Sequence, residues 1–177
     1  MKKYTLFVIS CLFIFQSFSQ DKLEDDLTKR NFNEVKLNAL LLVAGSFEVG
    51  YERTINEESS FGLSVLVPFD SEIKANIEYY ISPYYRFYFG KKYAAGFFLE
   101  GFGMLNSTNR NNDLPLFTTP QSEFVTDFAL GIGVGGKWLT RKGWTGELNL
   151  GIGRNLFNSD KGDEIVAKIG ITLGYRF

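Results

Sequence analysis

The chain of 177 residues contains no histidine, a single cysteine (Cys11) and four prolines. Without an imidazole, Ser-His-Asp and Cys-His catalysis, His-ligated metals and the commonest general base are all excluded. One cysteine cannot close an internal disulfide. Neither charge sign dominates, with 19 basic against 20 acidic residues. Nothing in that balance points to nucleic acid, whose binding normally leaves a basic patch, and no nucleic-acid partner is expected. No apolar run reaches the roughly 20 residues of a membrane-spanning helix.

The longest such run, Tyr4 to Phe15, follows Lys2 and Lys3 and gives way to small and polar residues before "DKLEDD". That order is the layout of a secretory signal peptide. Residues 1–20 are read as the leader, cut near Ser19 or Gln20, which leaves a mature chain without cysteine. "VISC" resembles a lipobox ending at Cys11, but the apolar run continues through "LFIF". A cysteine discarded with the leader is the simpler reading. Residues 21–32 are charged and aperiodic, a solvated periplasmic lead-in.

From 33 to 177 the apolar period is two, the spacing of a strand whose side chains alternate between faces. Eight strands are expected, near 34–44, 47–54, 60–67, 76–89, 94–105, 124–139, 144–156 and 165–177. In the sixth, Phe128, Leu130, Ile132, Val134 and Trp138 oppose Asp127, Gly131, Gly133, Gly135 and Lys137. In the last, "KIGITLGYRF", the odd positions are apolar and the even ones carry Lys168, Thr172, Arg176 and two glycines. No helix is expected. The second, fourth and sixth connections are short, whereas the fifth, 106–123, is long and polar; the first, "GS", is a short exception. Such asymmetry suits a membrane barrel with short turns on one rim and longer loops on the other.

Alternation alone does not say which face is wet. Several strands reach the ten or so residues that cross a bilayer at a tilt. The polar face is rich in glycine, which weakens a strand but fits a narrow interior. Tyr85, Phe87, Phe89, Trp138, Trp144, Tyr175 and Phe177 gather near the short turns like an interfacial girdle. Pro83 removes a ladder donor, so a bulge or an interrupted ladder is expected there. The reading is all-β: an eight-stranded antiparallel up-and-down transmembrane β-barrel.

The leader, the eight alternating strands and the terminal aromatic residue resemble the small outer-membrane β-barrels, similar to the transmembrane domain of outer membrane protein A. Within that class the chain looks most like a family of short barrels known only as uncharacterised. The resemblance implies the outer membrane of a Gram-negative bacterium, with lipid and the barrel insertion machinery as partners. It also implies that Tyr175 and Phe177 form the aromatic–x–aromatic insertion signal; the usual glycine before it is Thr172 here. The enzymatic small barrels that act on lipids depend on a histidine, so the resemblance implies no enzyme.

The inward positions collect charges of both signs: Lys36, Glu48, Glu52, Arg86, Glu100, Lys137, Glu147, Lys168 and Arg176. Two carboxylates can form an acid/base pair, but mixed signs at this density read as an ion-pair network filling the lumen. If "GKKYAA" and "TRKGW" keep the inward positions matched, Arg86 faces Glu100 and Lys137 faces Glu147. "GIGVGG" and "GIGRN" lack the following helix of a phosphate-binding loop. No metal and no cofactor are expected. The functional expectation is a non-enzymatic integral barrel, structural or surface-interacting, with a plugged or very narrow lumen. A possible extracellular partner would meet it through 106–123. The alternatives are a narrow channel or lateral exit for small or apolar solutes, and a secreted lipocalin-like binder with its apolar face inward.

Overall fold

A computed structural model describes residues 33–110, 123–157 and 164–177. The expected leader, the lead-in and 111–122 lie outside them. Eight strands form one closed antiparallel sheet in sequence order. They are β1 (Asn33–Asn38), β2 (Ser46–Thr54), β3 (Ser59–Pro68), β4 (Ile77–Lys92), β5 (Ala95–Arg110), β6 (Glu123–Leu139), β7 (Trp144–Asn155) and β8 (Ile165–Arg176). β1 pairs with β8 to close the barrel. The expected all-β up-and-down barrel is the fold observed.

Period-two sequence becomes a two-sided wall. Along β2, Phe47, Val49, Tyr51 and Arg53 point outward and are exposed, while Glu48, Gly50 and Glu52 are buried inside. The outer face carries Leu130, Ile132, Val134, Leu148, Leu150, Ile152, Ile169, Ile171 and Leu173, all exposed. The buried side chains are largely polar or charged. Apolar residues thus face out and charges face in, the reverse of a water-soluble barrel.

An eight-stranded barrel has room only for side chains, and glycine makes that room for aromatic rings. A Cβ on Gly131 would lie 2.3 Å from the Phe102 ring, one on Gly135 2.4 Å from Phe98, and one on Gly62 2.4 Å from Tyr84. These three inward glycines are hollows that receive rings from neighbouring strands. On the outer face, Gly101 and Gly146 have nothing within 4 Å of such a Cβ.

Four expectations need correcting. The first strand was expected over 34–44, but β1 stops at Asn38 and Ala39–Val43 form a short helix, α1. Asn38 caps it, its side chain accepting from the Leu41 N–H, which is how Asn competes with a strand ladder. A second short helix, α2 (Ser71–Lys74), occupies the loop after β3 and is capped by Asp70. "GS" is consequently not a two-residue exception, because 39–45 all leave the sheet and every connection on that rim is longer than a tight turn. Finally, 106–110 continue β5 and 123 begins β6, with Asn106 opposite Asp127 and Arg110 opposite Glu123; the loop proper is shorter than expected.

At Pro83 the β4–β5 ladder lapses without slipping, since Ile81 opposite Leu105 and Tyr84 opposite Phe102 keep one register. That register puts Gly103 across from Pro83. The Ser82 hydroxyl donates to the Gly103 carbonyl at 2.8 Å, supplying the donor that proline lacks. The register shifts of this pair lie elsewhere, at Ile77/Tyr79 and Phe89/Lys92.

Candidate functional site: the charged lumen

Strand alternation aims one charged side chain after another at the barrel axis. β1 supplies Glu34 and Lys36, β2 Glu48 and Glu52, β4 Arg86, β5 Glu100, β6 Lys137, β7 Glu147, and β8 Lys168 and Arg176. All ten are buried, and Glu34 and Glu52 are wholly so. Five carboxylates and five cations share the lumen.

Glu52 is the hub. Its carboxylate accepts from Lys36 Nζ at 2.5 Å, Arg86 at 2.9 Å, the Tyr88 hydroxyl at 2.8 Å, the Tyr84 hydroxyl at 3.2 Å, and Lys137. Lys36 also donates to Glu147 at 2.5 Å, and Arg86 to Glu147 at 2.7 Å. Arg86 stands opposite Glu100 in the ladder and donates to it at 2.7 Å. Lys137 stands opposite Glu147, 3.3 Å away, and bonds Glu34 at 3.0 Å. Lys168 reaches Glu100 at 2.8 Å. Arg176 binds Glu34 at 2.7 Å and donates to the Tyr93 and Ala94 carbonyls, 3.0 and 2.9 Å away, tying the β4–β5 turn over the short-turn mouth. Glu48 stands apart, taking Asn38 Nδ2 at 2.6 Å and the Tyr80 hydroxyl.

Glu34 was missed in the sequence reading, which began the polar face of the first strand at Lys36. Extending the alternation back two residues finds it. The aromatic lining, Tyr84 and Tyr88 from β4 with Phe98 and Phe102 from β5, was not among the expected site residues. Arg86 lies 4.5 Å over the Tyr84 ring and 4.2 Å over Phe98; Lys168 lies 4.6 Å over Tyr84; Lys137 lies 4.7 Å over Tyr88. Cations stacked this way are held on faces as well as by carboxylates.

The chemistry available is limited by this saturation. Glu34, Glu52 and Glu147 come within 4.8 Å of one another, a spacing that suits a cation. Lys36 and Lys137 already stand among them and supply the positive charge. A carboxylate engaged by two or more cations is a poor base and has no open face for a substrate. Beside the network is a cavity of about 30 Å³, bordered by Lys36, Glu48, Ser64, Asn149 and Thr172 among others. That is room for one to a few waters, on the order of what a small polar void holds. Ser64 Oγ and Asn149 Oδ1 are buried without a protein partner.

Above the charges, toward the α1 rim, the interior changes character. Leu66, Tyr80, Tyr84, Phe102, Met104 and Ala129 form a buried cluster, against which Leu41, Ile77 and Val166 pack. Outside, Tyr175 and Phe177 are exposed on the outer face, and the Tyr175 ring meets Trp144 edge-on at 5.6 Å.

A closed eight-stranded barrel, apolar without and charged within, has the architecture of the outer membrane protein A type of barrel. The chain belongs to the family described as protein of unknown function DUF3575, whose model matches residues 6–167. Among solved structures it is similar to the N-terminal β-barrel domain of OprF from Pseudomonas aeruginosa. That likeness has a TM-score of 0.60 at 12% identity and covers 83% of this chain and 98% of that one. No curated protein matches the sequence.

Proposed function

We propose that this chain is an integral outer-membrane barrel with no catalytic role, a structural or surface-interacting protein whose lumen is plugged. The observation that carries the reading is the inversion of the two faces: Ile132 is 66% exposed on the outside while Arg176 is 1% exposed on the inside. An apolar wall running round a barrel far exceeds the few hundred Å² that soluble monomers tolerate, and closure leaves it compatible with lipid. A secreted lipocalin-like barrel would need the opposite alternation.

Within this reading, Tyr175 and Phe177 contribute to the lower aromatic girdle and serve the insertion machinery, and 111–122 offers the surface for an extracellular partner. The charged layer seals the axis, since an ion passing along it would have to displace paired groups. The test is fractionation: the chain is expected in the outer membrane, migrating faster unheated than boiled on a detergent gel. Recovery as a soluble periplasmic protein would refute the proposal. In liposomes, flux of small ions no higher than in empty vesicles is expected; a clear excess would refute the plug.

A further inference from the structure

The barrel wall is incomplete on one side of its upper half. β8 pairs with β7 along its length, from Arg154 opposite Ile165 to Trp144 opposite Tyr175. Its ladder with β1 ends at Asn38 opposite Thr172, so among the described residues 165–171 have no strand on that side. β2 likewise loses β1 beyond Val49, leaving 46–48 paired only with β3. Where β1 would continue, the chain turns into α1. The Asn38 side chain bridges the start of the gap, accepting from Ile171 N at 3.3 Å and donating to the Ile169 carbonyl at 3.1 Å.

α1, "ALLLV", is apolar throughout and none of its residues is fully buried. Leu41 packs from the seam onto the interior cluster of Leu66, Tyr80, Tyr84, Phe102, Met104 and Ala129; Val166 of β8 packs on the same cluster. The apolar part of the lumen therefore lies directly behind the unpaired seam, and a single helical turn stands between it and the apolar exterior. Gly45 ends the helix at φ +96°, a left-handed conformation, and its carbonyl accepts from Phe69 N and Asp70 N.

We propose that the β8–β2 seam is a lateral binding site for the acyl chain of a lipid or fatty acid, with Leu41 as its displaceable stopper. The chain enters sideways from the surrounding lipid and lies over Phe102 and Met104, above the charged layer. An acyl chain fits because the stopper and the cluster it covers are apolar, while the inward charges of the seam, Glu48 and Lys168, are held by Asn38 and Glu100. An open strand edge in lipid must be covered, and an apolar turn that covers it without joining the ladder is free to exchange with another apolar group. This inference rests on the membrane reading above.

The test uses the full chain in phosphatidylcholine vesicles with a diazirine-bearing palmitate, mapped by mass spectrometry after irradiation. Adducts are expected on Leu41, Phe102 and Met104 as well as on the outward Ile169 and Ile171. Leu41→Ala should raise the interior adducts severalfold, and Ala129→Phe should reduce them severalfold, with the outward adducts unchanged in both. The heat-dependent gel shift is the check that each variant is folded. Adducts confined to outward residues in a heat-modifiable barrel overturn the lateral site and leave the membrane reading standing. Dimers trapped through β8 by a bifunctional cross-linker in the same vesicles, in place of interior adducts, also overturn it, assigning the edge to a second copy. A chain that never becomes heat-modifiable in vesicles removes both readings.

Discussion

Replacing the hub carboxylate, Glu52→Gln, tests whether the lumen charges act as one unit. The amide keeps the shape of the side chain but turns one acceptor into a donor, among three cations and two tyrosine hydroxyls that all donate to this site. It also leaves five buried cations facing four carboxylates. Breaking one member of a buried, hydrogen-bonded ion network costs about 3–5 kcal/mol. With a urea slope of about 2 kcal/mol per molar, that lowers the unfolding midpoint by roughly 1.5–2.5 M. The assay is urea titration in lipid or detergent, read by tryptophan fluorescence and by the gel shift. The companion variant Glu52→Gln with Lys137→Met removes a matching cation and should recover at least half the loss. A single variant within about 0.5 M of the parent, well below what a lost buried partner predicts, would refute the network argument. So would a double variant weaker than the single.

The glycine hollows make a second test. Gly131→Ala drives a Cβ to 2.3 Å from Phe102 and should cost about 1–3 kcal/mol as overpacking, whereas Gly101→Ala, in open space, should be neutral or slightly stabilising in the same titration. Ser82→Ala removes the hydroxyl that serves the Gly103 carbonyl and should cost about 0.5–1.5 kcal/mol; adding Pro83→Ala should restore most of it, because a backbone N–H then reaches that oxygen. If the double variant is no better than Ser82→Ala, the hydroxyl is not the proline's substitute. Arg176→Met should loosen the short-turn mouth by freeing the Tyr93 and Ala94 carbonyls, seen as faster amide exchange in the β4–β5 turn than in β6–β7.

Period two made the faces of the barrel readable before any coordinates. Each inward charge named from alternation lies inside, because a one-residue slip would put whole strands the wrong way round. What alternation does not encode is where a strand stops. Ala39, Leu41 and Val43 continue the apolar positions of Val35 and Leu37, but Leu40 and Leu42 are apolar as well. A short run apolar at every position fits helix and strand alike. The decision lies with Asn38, which caps α1 and bonds β8 with the same side chain. Period two also gives no distances across the lumen. Arg86 opposite Glu100 follows from the turn between their strands, whereas Lys36 with Glu147 depends on the curvature of a closed sheet. Tyr84 and Tyr88 were inward by position, but only the closed barrel puts their hydroxyls on Glu52.

The ion cluster draws on every strand except β3, and its partners are far apart in sequence: 111 residues between Lys36 and Glu147, 142 between Arg176 and Glu34. The β4–β5 and β6–β7 hairpins each carry one matched pair, Arg86 with Glu100 and Lys137 with Glu147, but the strands at the two ends of the sheet are unbalanced. β1 with β2 holds three carboxylates and one lysine, and β8 holds two cations and no carboxylate. The surplus carboxylates of β1–β2 and the surplus cations of β8 are brought together only when the first and last strands meet, as Arg176 meets Glu34. The cluster thus favours completion: an open barrel leaves the charges of its terminal strands unpaired in an apolar medium, and closure pairs them.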